Sequence, residues 1–249
     1  MRLKLISCEI FYREMCAAVA GSVNQIDVEF LPKGLHDIGA EGMLERLQAA
    51  VDAVDASRYE AVLLGYALCG TGLVGLTARA LPLVIPRAHD CITLFLGSKE
   101  RYLEYFNSHP GVYFKTSGWI ERGGGLTQLD QRAIRQQTGL GQSYEELAAR
   151  YGEENAAYLY EQLGNQARNY RQFTFVEMGV EPDERFERQT REEAAERGWK
   201  FEKVQGDMSL IRRLLEGPWD EADFLVVAPG WRVKAAYDER IIQAEKAKA

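Results

Sequence analysis

The run Tyr59-Glu-Ala-Val-Leu-Leu-Gly-Tyr-Ala-Leu68 constrains this chain more than any other feature. It is almost continuously apolar, short, and closed by Cys69-Gly70-Thr71-Gly72, the pattern of a strand buried on both faces of a parallel sheet. Such a strand needs parallel neighbours and helical crossovers, and the flanking sequence supplies both signals. Met1–Ser7, Ile26–Leu31, Leu81–Pro86 and Val112–Thr116 read as further strands, separated by helical patterns over 12–20, from Leu35 to Val54, and from Cys91 to about Asn107. Later strand signals fall at Phe173–Met178, Phe201–Gln205 and Phe224–Gly230, with a charged helix from Asp183 to Arg197. The fold class expected is α/β: mostly parallel sheet with flanking helices, two α/β halves joined by a helical insertion. The division expected is 1–125 for the half carrying the site, 126–170 for the insertion, and 171–249 for the half that closes a cleft. Ser143-Tyr-Glu-Glu146 reads as a capping box within the insertion, Ser117–Gly125 as a loop, and Ala235–Ala249 as a solvated helix.

In open α/β sheets, reactive groups gather beyond the carboxyl ends of the strands. Three cysteines fall there: Cys8, Cys69 and Cys91. Thiolates from separate strand ends can converge on one metal, and the candidates are zinc or, with three cysteines and one open iron, a [4Fe-4S] cluster. Buried packing is the alternative role for each, since cysteine is among the most buried residue types. Cys16, inside a helical pattern, keeps that role. Asp90 stands where an N-cap precedes a helix beginning at Cys91, and the start of that helix would favour the Cys91 thiolate. His89 is a candidate fourth ligand or general base, and Glu9 and Glu177 are further candidate catalytic groups at strand ends. Gly70, Gly72 and Trp119 are candidate cofactor-binding positions, although Cys69-Gly-Thr-Gly72 lacks both the dinucleotide fingerprint and the P-loop lysine. Glu177, Asp207 and Pro229-Gly230 are expected to face the cysteines across the cleft.

Composition narrows the partners. With 37 acidic against 30 basic residues and a formal charge of -7, the chain shows no basic stripe for nucleic acid. No apolar run approaches the length that spans a bilayer, which predicts no membrane partner. Unpatterned cysteines in a chain of this length suit a cytoplasmic protein with a small-molecule substrate.

Leu64-Gly-Tyr-Ala-Leu-Cys-Gly70, Ile85-Pro-Arg-Ala-His-Asp-Cys-Ile92 and Leu96-Gly-Ser-Lys-Glu-Arg-Tyr102, together with Leu35-His36, Gly118-Trp119 and Val226-Val-Ala-Pro-Gly230, resemble the domain of unknown function 1638 family. The resemblance covers nearly the whole chain. Such proteins are often encoded near corrinoid-dependent methyltransferases, so it implies one-carbon metabolism, with a corrinoid protein or methyltransferase as partner. His89-Asp90-Cys91 also has the His-x-Cys spacing of zinc methyltransferases that move a methyl group from a corrinoid to a thiol, though here the other cysteines lie upstream. A non-catalytic corrinoid- or metal-handling accessory protein is a further alternative, and the absence of the corrinoid-binding signature Asp-x-His-x-x-Gly from the sequence counts against tight cobalamin binding by the chain itself.

Overall fold

A computed structural model describes residues 1–122, 153 and 170–247. The fold is mixed α/β with a mostly parallel central sheet and flanking helices. Its strands are β1 (Arg2–Cys8), β2 (Gln25–Leu31), β3 (Ala61–Gly65), β4 (Leu83–Pro86) and β8 (Phe224–Val227), in the order β2-β1-β3-β4-β8. The first four run parallel, and β8 pairs antiparallel with β4. Every residue of β3 and β4 is buried, as the sequence expects of central strands. β1 and β3 approach closely because position 65 has no side chain: a Cβ there would lie 2.2 Å from the Ser7 hydroxyl oxygen.

Sheet membership crosses the order of the chain. β5 (Val112–Lys115) leaves the central sheet and joins β6 (Gln172–Glu177) and β7 (Lys200–Gln205) in a second, parallel sheet, ordered β5-β6-β7. Helix α6 (Arg185–Glu196) packs on β6 and β7, burying Ala194 against Phe173. In the central sheet, α7 (Ser209–Glu216) packs on β3, β4 and α1 (Tyr12–Gly21), while α2 (Gly39–Asp52) buries Met43, Leu47, Ala50 and Val51. Among the described residues no helix is long and apolar enough to cross a membrane.

Three expectations from sequence are corrected. The helix expected from Cys91 to Asn107 is two: α3 (Cys91–Leu96) stops at Gly97, whose φ of 82° ends the turn left-handed, and Ser98 caps α4 (Lys99–Ser108) by accepting the Arg101 N–H. Ser117–Arg122, expected as loop, is a helix, α5. The tail expected as a solvated helix is a hairpin of β9 (Trp231–Ala235) and β10 (Ile242–Lys246), because Ile242 is buried and the Arg87 guanidinium donates to the carbonyls of Arg240 and Ile242. The expected insertion over 126–170, with its capping box, lies outside the described residues apart from 153 and 170.

Candidate functional site

The order β2-β1-β3-β4 reverses direction between β1 and β3, and a parallel sheet opens a crevice beyond its carboxyl edge at such a point. Cys8 ends β1, Cys69 opens a short turn after β3, and Cys91 opens α3 after β4. Two backbone hydrogen bonds stitch the last two loops together: Leu68 N–H donates to the Ala88 carbonyl at 2.9 Å and Cys69 N–H to the His89 carbonyl at 3.0 Å. The turn is strained, with φ of 46° at Cys69 and 142° at Thr71, conformations that side-chain-bearing residues seldom hold. All four cysteines are free, and Cys16 is the exposed one.

The three sulfurs are electrostatic neighbours. Cys69 feels Cys8, and Cys91 feels both Cys69 and Cys8. Burial pushes all three thiols up, Cys8 to about 12, and Asp90 raises Cys69 and Cys91 further. Burial thus works against the Cys91 thiolate that the start of α3 would favour. Trp119, near the Cys91 sulfur, acts against this rise. His36 Nε2 lies 3.7 Å from Cys8 Sγ. Tyr66 is fully buried, its hydroxyl has no hydrogen-bond partner, and it lies within electrostatic reach of Cys8, Cys69 and Glu9.

A cavity of about 360 Å³ opens beside Cys69 and Cys91. The central sheet contributes His36, Asp90 and Ile92, while Val112, Tyr113 and Phe114 of β5 form the facing wall. Trp119 reaches the cavity because α5 lies tight against the turn after β1: a Cβ at Gly118 would stand 1.7 Å from the Ile10 carbonyl oxygen. Asp90 caps α3 by accepting the Ile92 N–H at 3.0 Å, and the Tyr102 hydroxyl donates to its other oxygen at 2.8 Å. Burial raises the Asp90 pKa against these bonds.

The remaining sequence candidates fall elsewhere. His89 is exposed and does not line the cavity; its carbonyl, not its ring, serves the site. Glu9 accepts the Lys33 N–H at 2.8 Å and so ties the turns after β1 and β2 together. Glu177 lines a separate depression with Glu181 and Glu187, 3.2 Å from the Lys203 ammonium. Gly70 lies in the Cys69 turn, and Gly72 is packed on Met43, whose sulfur would stand 2.4 Å from a Cβ there. Asp207 and Pro229-Gly230 are not among the lining residues; Asp207 N–H donates to the Phe95 carbonyl near the far end of α3. Tyr66, Tyr102, Tyr113 and Tyr170 are not among the sequence candidates, and the signal available was Tyr66 directly after the aliphatic run of β3.

A family model described as "Protein of unknown function (DUF1638)" matches residues 30–215. The chain belongs to the DUF1638 family. Cys69, Cys91, His36 and the aromatic residues of the cavity lie within the stretch matched to DUF1638, and Cys8 precedes it. No curated protein and no solved structure matches the chain.

Among the described residues no group of three or more His, Cys, Asp and Glu side chains is arranged to hold a metal ion as it stands. The chemistry of the donors nevertheless suits a soft or borderline metal: three sulfurs from three loops, beside a buried hydroxyl that has no partner.

Proposed function

We propose that this DUF1638 chain is a metal-dependent enzyme acting on a small molecule. Cys8, Cys69 and Cys91 would hold the metal, zinc or alternatively a [4Fe-4S] cluster, and the reaction would be methyl transfer linked to a corrinoid methyltransferase system. The observation that carries this reading is the gathering of buried Cys8 and Cys91, half-buried Cys69 and the orphaned Tyr66 hydroxyl at the carboxyl edge of the sheet, next to an aromatic cavity. A metal with thiolate ligands and one open position supplies a Lewis acid that activates a bound thiol or water at neutral pH.

The protein's own residues have separate tasks. Thiols raised this far must lose protons on metal binding, and His36 beside Cys8 is placed to take one. Trp119 stands with Cys91 in the cavity wall, while Tyr102 fixes Asp90 and through it the start of α3. The aromatic walls exclude water from the substrate. Free cysteines suit a reducing compartment, and we read the protein as cytoplasmic, with a corrinoid protein or methyltransferase as partner.

Metal analysis of anaerobically purified protein tests the reading. Wild type and Cys16→Ser should carry metal and Cys91→Ser should lose it, because a serine hydroxyl ionises too weakly to replace a thiolate. Absorbance near 400 nm, on the order of what iron–sulfur clusters show, separates the cluster from zinc. Metal-free wild type, or a Cys91→Ser protein with its full complement, would overturn it.

A further inference from the structure

We propose that the cavity beside Cys69 and Cys91 binds a methylated onium cation, a quaternary ammonium or sulfonium group. Six aromatic side chains line it: Tyr102, Phe106, Tyr113, Phe114, Trp119 and Tyr170. Among the described residues no lysine or arginine does, and the one carboxylate they place in the wall, Asp90, accepts from the Tyr102 hydroxyl and the Ile92 N–H. Rings present a negative face to a cation, and a carboxylate adds attraction that falls off slowly in a desolvated site.

The alternatives fit less well. An anion would meet Asp90 and, among the described residues, no lysine or arginine in the wall. A bare ammonium would give up strong hydration for too few acceptors, whereas a methylated cation is weakly hydrated and spreads its charge over methyl groups that pack on aromatic carbon. The volume of about 360 Å³ suits a small molecule. Lys33 already holds its ammonium 5.2 Å from the centre of the Trp119 ring but does not line the cavity, so the ligand's contacts fall on the rings that do. His36 shares the wall and, when protonated, opposes the ligand. The inference rests on the proposed function for the fate of the methyl group, since an onium is the form in which methyl leaves most readily; binding itself requires no metal.

The test compares cations with a neutral molecule of the same shape. The full chain is titrated calorimetrically with tetramethylammonium, choline and trimethylsulfonium, and with 3,3-dimethylbutan-1-ol, in which carbon replaces the choline nitrogen. Choline should bind roughly tenfold or more tightly than its carbon isostere. Asp90→Asn keeps an N-capping oxygen, and Phe106→Leu alters a half-exposed position, so both should fold. Each should weaken choline by several-fold, and Asp90→Asn should leave the isostere unchanged. Equal affinity for choline and the isostere, or no saturable binding of any of the three cations, overturns the inference. Metal content is read on the same samples. Onium binding to metal-free wild type keeps this inference and removes the metal reading; metal without onium binding does the reverse.

Discussion

Glu14 holds its carboxyl group inside the packed face of α1, fully buried, with no hydrogen-bond partner for either oxygen. Burial, with Glu181 nearby, raises its pKa from 4.5 to about 8. A carboxyl whose folded pKa is raised contributes stability below its unfolded value and loses it as pH rises through the folded one. Stability should therefore fall between about pH 4.5 and 8. Glu14→Gln should flatten that slope and raise stability at pH 8.5 by roughly 1–3 kcal/mol, read from urea midpoints across pH. A variant no more stable than wild type at that pH would contradict the burial argument. The thiols carry the same sign at higher pH: Cys8, raised from 9.0 to about 12, makes unfolding easier as pH climbs above 9. Cys8, Cys69 and Cys91 were legible in the sequence because each follows a strand. Glu14 and Tyr66 were not: a glutamate in an amphipathic helix reads as solvated, and a tyrosine in an apolar run reads as packing.

At the scale of elements, α5 shows what periodicity misses. Ser117-Gly-Trp-Ile-Glu-Arg122 precedes three glycines and reads as loop, yet it forms a helix because Gly118 lets it lie on the turn after β1, and Arg13 locks it there through Glu121 at 2.8 Å. Gly118→Ala would drive a methyl group into the Ile10 carbonyl, so the helix must shift. We expect a loss of roughly 2–4 kcal/mol and a changed tryptophan emission spectrum as Trp119 moves from Cys91. An unchanged denaturation midpoint would show that α5 does not sit as described. The central strands were readable because each is a buried β-branched or aliphatic run; the C-terminal hairpin was not, since its packing partner, Arg87, lies far away in the sequence.

For the whole molecule, the α/β class was readable from the sequence but not the exchange of β5 and β8 between sheets, which depends on pairings between distant stretches, Val112 with Gln172 and Leu83 with Val227. Arg87 secures one of these. Its guanidinium donates to the carbonyls of Glu221 at 2.8 Å and Phe224 at 3.2 Å as well as to the hairpin, fastening β8 and β10 to the end of β4. Lysine cannot reach these acceptors with one ammonium, so Arg87→Lys should cost roughly 2–4 kcal/mol and speed amide exchange selectively in β9 and β10. Uniform exchange across the chain would contradict that local role. The same architecture brings three loops of the central sheet to one edge, and the central claim is that their sulfurs act together on one metal centre. X-ray absorption at the edge of the metal in anaerobically purified protein tests this most directly. Sulfur ligands at roughly 2.3 Å that fall by one in Cys8→Ser are expected; a metal bound by oxygen and nitrogen alone, or no metal, would contradict a shared metal centre.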